Sequence, residues 1–208
     1  MAIKPILFNT EMVRAILDGR KGATRRIVKG FIPDDAVWGY TAFTPKGYIS
    51  CRGTFADGYG EKFFKLPCES GDILYVRETW KKAPNGYYYY EDWQRNDIAD
   101  VTKWKPSIHM PKEAARIWLK VTDVRVERLQ EITDEQAKRE GIQYDECPTG
   151  FTWKQETDMH NCYTTPIGAM QALWNSTIRK SDLDCYGWDA NPWVWVIEFE
   201  RCEKPEGV

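Results

Sequence analysis

A short basic segment near the start of the chain carries side chains that could bind anions or attack an acyl group. Arg20, Lys21, Arg25 and Arg26 lie close together, and Thr24 adds a hydroxyl among them. A hydroxyl attacks an acyl carbon when a neighbouring group takes its proton, and a lysine can do so once its pKa falls toward neutrality. The arginines would lower the pKa of Lys21, because nearby positive charge disfavours the ammonium form. The segment therefore predicts an anion-binding surface. A more specific hypothesis is that Lys21 activates the Thr24 hydroxyl as a nucleophile.

A helix must position this segment. Apolar residues recur four positions apart over residues 12–17, which is typical of an amphipathic helix, and Gly19 can take the left-handed conformation that ends one. Basic side chains just after a helix also interact favourably with the negative end of its dipole. Capping is therefore the simpler interpretation of Arg20 and Lys21. On the same interpretation, Thr24 is an ordinary β-branched residue at the start of a strand.

Composition limits the possible classes of function. The chain of 208 residues carries a net charge of −2, so any binding to nucleic acid must come from a local patch. With 10 Trp, 11 Tyr and 8 Phe, it has aromatic side chains for a core and some to line a groove. The apolar run at the start is too short for a signal peptide, and no membrane-length segment follows. We therefore expect a cytoplasmic protein with no membrane partner.

The cysteines and histidines do not favour a metal site. The 6 cysteines are scattered without a Cys-x-x-Cys pair, and His109 and His160 are the only histidines. A zinc site is possible in principle, but this spacing does not support one. Reduced thiols in a cytosolic protein are the simpler interpretation. We therefore expect no metal and no cofactor.

Strand patterns outnumber helix patterns along the chain. Alternation and turn residues predict strands over 6–8, 73–80, 117–126 with a kink near 122–123, and 193–199, and a hairpin with its turn at 84–86. A capping box of Thr133 and Gln136 and a Pro after Thr165 predict two further helices, which end at Gly141 and near residue 174. Residues 30–65 are interpreted as an inserted hairpin (38–43 with 48–52) followed by a loose loop, and residues 142–164 as a second insertion. This inventory predicts an α+β fold, a small β-barrel with short flanking helices and inserted hairpins.

Three pieces of sequence, in chain order, carry a family resemblance. They are Gly19-Arg20-Lys21 with Thr24 and Arg26, then Gly-Asp-Ile-Leu-Tyr-Val at 71–76, then the capped helix that ends at Glu140. Together they resemble the ASCH domain family of the PUA-like superfamily. Longer motifs are similar to those of phage and prophage ASCH-type proteins: Val-Arg-Glu-Thr-Trp at 76–80, Lys-Pro-Ser-Ile-His-Met-Pro at 105–111, and Trp-Asp-Ala-Asn-Pro-Trp-Val-Trp-Val at 188–196. The resemblance implies one domain over residues 1–208, with the two insertions least covered.

The resemblance also implies a PUA-like barrel whose cleft binds RNA, nucleosides or modified bases. In the ASCH enzymes that remove an acetyl group from N4-acetylcytidine, a lysine, a threonine and a glutamate carry out the reaction without a cofactor. Carried over by motif, these are Lys21 as base, Thr24 as nucleophile and Glu140 as acid. Gly22 departs from the family, which usually has threonine there.

Glu140 also breaks a local rule, which is an independent reason to consider it. A carboxylate near the C-terminal end of a helix faces the negative end of the helix dipole, so local electrostatics disfavour it. Residues that break local rules are reasonable places to look for function. An exposed carboxylate at a helix end is the simpler interpretation.

Further candidates line the expected rim of the cleft. Arg77 could meet a phosphate and Trp80 could stack on a base, or the two could end a strand with a surface charge and a core indole. Ser107 and His109 lie between two prolines and offer hydrogen bonds to a base edge, although a lone histidine is more often structural. Asn191 lies in a segment that could line the entrance of the pocket or could form a turn without a role in binding.

The leading hypothesis is a phage- or prophage-encoded protein that recognises nucleic acid or a modified nucleoside and hydrolyses the amide of an N4-acylated cytidine. The second is a binding module for RNA or a modified base without chemistry. A ribonuclease is the third. The sequence leaves the oligomeric state open.

Overall fold

A mixed five-stranded sheet forms the centre of the protein in a computed structural model, which describes residues 1–95, 103–147, 150–154 and 163–207. The strands are β1 (Ile3–Leu7), β2 (Ala23–Ile27), β3 (Val37–Gly39), β4 (Tyr48–Phe55), β5 (Gly58–Lys65), β6 (Ile73–Arg77), β7 (Trp80–Ala83), β8 (Gly86–Tyr89), β9 (Trp118–Arg128), β10 (Gln143–Cys147), β11 (Gly150–Lys154) and β12 (Trp193–Cys202). The α-helices are α1 (Thr10–Leu17), α2 (Tyr90–Arg95), α3 (Asp134–Arg139), α4 (Pro166–Thr177) and α5 (Leu183–Tyr186). Single 3₁₀ turns lie at Ser107–His109, Lys112–Ala114, Leu129–Glu131 and Lys180–Asp182.

The central sheet has the strand order β1-β6-β9-β12-β2. The β1–β6 pair is parallel and the other three pairs are antiparallel. Among the described strands, no ladder joins the outer strands β1 and β2, and the Arg26 guanidinium reaches across this gap to donate to the Leu7 carbonyl at 2.8 Å. The predicted α+β class with short helices is confirmed, while the described ladders form an open sheet and two- and three-stranded ribbons.

Apolar cores cover both faces of this sheet because side chains alternate along each strand. On β12, Trp195, Ile197 and Phe199 pack into a core shared with α1 and β6. Val194 and Val196 face the other way and pack in a core with α3 and α4. The sheet is therefore the wall on which the helix ends are positioned.

The insertion at 30–65 forms a second, three-stranded antiparallel sheet of β3, β4 and β5. The predicted pairing of segments near 38–43 and 48–52 is confirmed by the β3–β4 ladder, which is short. The loose loop predicted after it is wrong, because β5 pairs with all of β4 through a tight turn before Gly58. β5 is a largely exposed edge strand, so its glycines and charged residues do not show the alternation of apolar and polar residues that predicts a strand.

The strand predicted over 73–80 is broken in two. The β6 ladder ends at Arg77, and Trp80 begins the β7–β8 hairpin, whose turn lies at the predicted Pro84-Asn85-Gly86. The break coincides with Glu78, whose backbone N–H donates to Met110 Sδ at 3.2 Å rather than to a strand. The kink predicted near 122–123 is confirmed as a bulge, where the β12 register shifts between Glu198 and Phe199.

Both later helices start as predicted. Thr133 caps α3 in a capping box with Gln136, and Thr165 caps α4 with Pro166 in its first turn. The second insertion contains the β10–β11 hairpin, and its residues 148–149 and 155–162 lie outside the described residues. No helix among the described residues is long and apolar enough to cross a membrane.

Candidate functional site

The end of α1 and the end of α3 meet at the edge of the central sheet. Lys21 and Glu140 form an isolated antiparallel bridge, and the Gly22 N–H donates to the Arg139 carbonyl at 2.9 Å. Gly141, just after α3, has a positive φ of 102°, which turns the chain away immediately after Glu140. Backbone contacts alone therefore bring together two segments that lie far apart in the chain.

The Lys21 and Glu140 side chains form a direct buried ion pair. Lys21 Nζ lies 2.9 Å from Glu140 Oε2 and 2.9 Å from the Glu140 carbonyl oxygen. The lysine side chain is 0% exposed and the glutamate side chain is 4% exposed. A pair so far from water keeps a single geometry, because neither partner has solvent to replace the other.

Burial lowers the pKa of Lys21 below its ordinary value of 10.5. Loss of hydration is the largest cause, the Glu140 carboxylate opposes it, and the charges of Arg26 and Arg25 lower the pKa further. The direction agrees with the one expected from the sequence, but burial contributes more to it than the neighbouring arginines do. Arg20 instead donates to the Gly141 carbonyl at 2.7 Å and pairs with Asp18, so it fixes the α1 end to the α3 end.

Arg25 is the third charged member of the site. Its Nη1 donates to Glu140 Oε1 at 3.0 Å, while its Nη2 donates to Gln136 Oε1 at 3.1 Å and Glu127 Oε2 at 3.4 Å. The guanidinium is buried, and its Nε has no hydrogen-bond partner among the described residues. Arg25 was predicted to bind nucleic acid; the structure places it inward, where it holds Glu140.

The ion pair continues into a charged network on the same face of the sheet. Arg125 bridges Glu127 and Glu198, and Arg139 pairs with Glu198 at 2.7 Å. The carboxylates and guanidinium groups alternate, so each charge has an opposite neighbour. This network anchors α3, and with it Glu140, to β9 and β12.

Thr24 and Arg26 lie on the opposite face of β2 from Arg25. Along β12 they pair with Ile197 and Trp195, which face the α1 core. Thr24 is buried, whereas Arg26 is exposed and lies 5.4 Å from the centre of the Phe8 ring. Lys21 Nζ lies 5.5 Å from the same ring. The structure thus brings Lys21 and Glu140 into contact, and it buries Thr24 on the face of β2 that packs on the α1 core, where no hydrogen bond among the described residues joins it to either of them.

A small pocket opens beside Glu140. It has a volume of about 30 Å³ and is lined by α1, by Glu140 to Ile142 and by Leu173 of α4. That volume is enough for one or two water molecules and too small for a nucleobase.

Two of the predicted rim residues contact other groups of the protein. Trp80 is buried, and its ring is covered by Lys105 Nζ at 5.0 Å and by Tyr87 at 5.8 Å. Trp80 therefore occupies the core position that the sequence analysis gave as the alternative to base stacking. Arg77 donates to the Ile108 carbonyl at 3.3 Å and lies over Tyr75.

The proline-bounded loop does present side chains to solvent. Ser107 is half-buried and His109 is exposed, in a 3₁₀ turn that Arg77 fastens through Ile108. Asn191 joins its own turn to the Leu129–Glu131 turn, because its Oδ1 accepts from the Gln130 N–H at 2.8 Å, and its φ is +45°. The structure brings none of these three into contact with Lys21 or Glu140.

Sequence reasoning missed the second function of Gln136. Its Oε1 accepts both from the Thr133 N–H at 3.0 Å, as the capping box requires, and from Arg25 at 3.1 Å. The capping signal explained the residue completely, so nothing in the sequence indicated the second contact. Phe8, which lies between Lys21 and Arg26, carried no signal beyond its apolar type.

Among the described residues, no group of three or more histidine, cysteine, aspartate and glutamate side chains could hold a metal ion. Comparisons of the chain with protein-family models, curated proteins and solved structures found no match.

Proposed function

We propose that the protein recognises nucleic acid or a modified nucleoside at the β1–β2 gap and hydrolyses the amide of an N4-acylated cytidine there. Lys21 is the base, Thr24 the nucleophile and Glu140 the acid. The observation that carries the proposal is the buried contact of 2.9 Å between Lys21 Nζ and Glu140 Oε2. The proposal includes the finer fold and origin expected from the sequence: a PUA-like barrel of the ASCH family, encoded by a phage or prophage and acting in the bacterial cytoplasm.

The Lys21–Glu140 contact is suited to exchange one proton. Burial is the largest cause of the lowered pKa of Lys21, because it disfavours the ammonium form. The neutral amine can take the proton of a hydroxyl, and Glu140, which contacts it directly, is assigned to supply the proton that the leaving amine takes up.

The reaction follows from these roles. Lys21 Nζ takes the proton from the Thr24 hydroxyl as Oγ1 forms a bond to the acyl carbon, and the carbonyl π electrons move onto oxygen. When the carbonyl re-forms, the bond from carbon to N4 breaks, and Glu140 supplies the proton that N4 takes up. Water then attacks the acyl-threonine ester, which releases the carboxylic acid and restores the hydroxyl.

We assign substrate entry to the β1–β2 gap. The pocket beside Glu140 has room only for water-sized molecules. Arg26 lies across the gap through its bond to the Leu7 carbonyl, so the substrate has to displace its exposed guanidinium. Once displaced, Arg26 is a cation at the mouth of the site that can bind a phosphate.

The test is release of cytidine from N4-acetylcytidine. We expect Lys21→Ala, Thr24→Val and Glu140→Gln each to lower kcat/KM by about 100- to 10,000-fold, the usual contribution of general acid–base groups. Lys29→Ala and Glu135→Gln are matched controls, because both residues are exposed and lie close by in the chain. Turnover that survives Lys21→Ala, or that falls equally in the controls, would contradict the assignment.

A binding module without chemistry is the second candidate. It is favoured by one observation: both Glu140 oxygens already accept hydrogen bonds, one from Lys21 and one from Arg25, which stabilises the carboxylate. On this alternative, wild-type protein releases no cytidine but still binds N4-acetylcytidine or RNA. Calorimetric titration of wild-type protein with N4-acetylcytidine separates the two, since heat of binding without product supports the module.

A further inference from the structure

An aromatic pocket lies away from the Lys21–Glu140 pair, at the β7–β8 hairpin and α2. It has a volume of about 230 Å³ and is lined by Lys81, Ala83, Tyr88, Trp93 and Trp104. The Trp93 and Trp104 rings meet edge to face, with their centroids 5.8 Å apart and their planes at 68°. The walls of the pocket are therefore flat π surfaces, with one amine among them.

Both indole N–H groups of this pocket lack a hydrogen-bond partner. Trp93 Nε1 and Trp104 Nε1 are shielded from solvent, and neither has an acceptor among the described residues. Shielded indole N–H groups usually find an acceptor, because leaving the donor unpaired is unfavourable. Because both nitrogens are shielded, the two indoles offer an incoming ligand ring surface rather than N–H donors.

The charge around the pocket selects the sign of the ligand. Lys81 lines it, and Lys82, Lys103 and Lys105 lie exposed on the same hairpin and the adjoining loop. Among the described residues, Lys81 forms no ion pair. A quaternary ammonium ligand would suit the aromatic walls, but the Lys81 ammonium would repel it. An anionic group next to a flat ring meets both the walls and the charge.

We propose that this pocket binds one base of single-stranded nucleic acid, with Lys81 on an adjoining phosphate. A base offers a π face to stack on the indoles. Only an unpaired strand can present a base in this way. The stacking function predicted for Trp80 thus belongs to its neighbours, because Trp80 itself is covered. The inference rests on the proposed function only in that the ligand is nucleic acid; it does not require turnover at Lys21.

The experiment measures fluorescence anisotropy of labelled uridine and deoxythymidine oligonucleotides of about 10 nucleotides, which spans one typical single-strand site. We expect Trp104→Leu to weaken binding about 5- to 150-fold, the usual loss when one stacked base loses its aromatic partner. Trp104→Phe keeps a flat ring and should retain most of the affinity. Lys81→Gln should lower the slope of log affinity against log salt by about 0.7, the value for one phosphate contact on a single strand.

Matched controls lie on the second sheet, where Tyr59 is 74% exposed and Lys65 is also exposed. Tyr59→Leu and Lys65→Gln should leave the affinity and the salt slope unchanged. Circular dichroism and thermal unfolding verify that each variant folds, and Lys81→Gln removes no packed ring. Binding by either oligonucleotide that depends on Trp104 and Lys81 supports the proposal, and the stronger of the two identifies RNA or DNA.

Three results would overturn the proposal. They are no binding of either oligonucleotide, binding that Trp104→Leu and Lys81→Gln leave unchanged, and displacement of the oligonucleotide by tetramethylammonium that exceeds displacement by sodium at the same ionic strength. The proposed function fails separately, because release of cytidine from N4-acetylcytidine depends on Lys21 and needs no oligonucleotide. A protein that binds oligonucleotides through Trp104 but releases no cytidine keeps this inference and loses the hydrolase.

Discussion

Lys21 Nζ and Glu140 Oε2 lie 2.9 Å apart although 119 positions separate them in the chain. The pair is asymmetric, because Glu140 also accepts from Arg25, whereas both bonds of the Lys21 amine go to Glu140. Removing one partner is therefore not equivalent to removing the other.

Glu140→Gln should destabilise the protein more than Lys21→Met does. Without the carboxylate, Lys21 and Arg25 are buried cations that face each other, and breaking a buried pair in this way costs about 3–5 kcal/mol. Without the lysine, Arg25 still pairs with Glu140, so the loss is smaller. Urea unfolding measures both. Glu135→Gln, on the exposed side of the same helix, should change stability by about 0–1 kcal/mol. A larger loss for Lys21→Met would contradict the asymmetry.

The lowered pKa of Lys21 should appear as a pH dependence of stability. Between that lowered pKa and the ordinary value of 10.5, the unfolded chain binds a proton at Lys21 that the native protein has released. The free energy of unfolding therefore rises with pH in this window. Lys21→Met lacks this contribution. The free energy of unfolding of the wild-type protein should therefore increase relative to that of the variant as the pH is raised toward 10.5. Urea unfolding at several pH values tests the sign, and a difference that shrinks with pH would contradict it.

If Lys21 is the base of a hydrolase, its pKa should also appear in the pH dependence of kcat/KM. Since the neutral amine of Lys21 is the base, kcat/KM for N4-acetylcytidine should rise as the pH passes through the lowered pKa of Lys21. Glu140→Gln removes the carboxylate that raises this pKa, so the ascending limb of any residual activity should move to lower pH. A limb that stays in place would show that another group titrates.

Gly141→Ala should damage the contact that positions Glu140. A β-carbon there would lie 2.9 Å from the Ala15 β-carbon, and the backbone φ of +102° is strained for any L-residue. Gly19→Ala is the matched control, because its φ is also positive, at +74°, but a β-carbon meets nothing within 4 Å. We expect Gly19→Ala to cost about 1–2 kcal/mol and Gly141→Ala to cost more. Equal losses in urea unfolding would exclude the packing contribution.

Arg116 holds a deeply buried carboxylate outside the site, that of Glu78. Its Nε and Nη2 each lie 2.9 Å from the oxygens of Glu78, and its guanidinium stacks 4.0 Å from the centre of the Tyr89 ring. Arg116→Met leaves Glu78 buried and without this partner, which should cost about 3–5 kcal/mol. Arg116→Lys keeps the charge but loses the planar two-bond geometry, so it should restore only part of the stability that Arg116→Met loses. Arg52→Met, at an exposed position, is the control for thermal unfolding.

The cysteines should differ sharply in reactivity. Burial raises the pKa of Cys51 and of Cys68 to about 11, so both stay protonated and shielded at neutral pH. Cys185 is exposed. Iodoacetamide followed by site-resolved mass spectrometry should modify Cys185 in the native protein and the other two only after unfolding. Early modification of Cys51 or Cys68 would show that the core opens there.

Local signals predicted most of the elements. The capping box of Thr133 and the Thr165-Pro166 pair each fixed a helix start, and the turn after Ala83 fixed a hairpin. Each of these signals acts over a few residues, so the sequence displays it directly. The extra strand β5 was missed because an exposed edge strand needs few apolar residues.

Long-range partners explain what local signals could not predict. The strand expected over 73–80 breaks because Glu78 is held by Arg116, 38 positions later, and Trp80 is covered by Lys105. In the site, the inward orientation of Arg25 depends on Glu140, 115 positions away. No local pattern reports on such a partner, whereas the charged character of the segment was evident from composition.

The central position of β12 between β9 and β2 imposes an order of assembly during translation. Of the five strands it is the last to leave the ribosome, and until it does, β2 has no neighbour on either side. Arg25 must wait as well, because among the described strands β2, which carries it, is joined to the rest of the sheet only through β12. The nascent chain therefore exposes an unpaired edge for most of its synthesis, a stage at which a chaperone would be expected to bind.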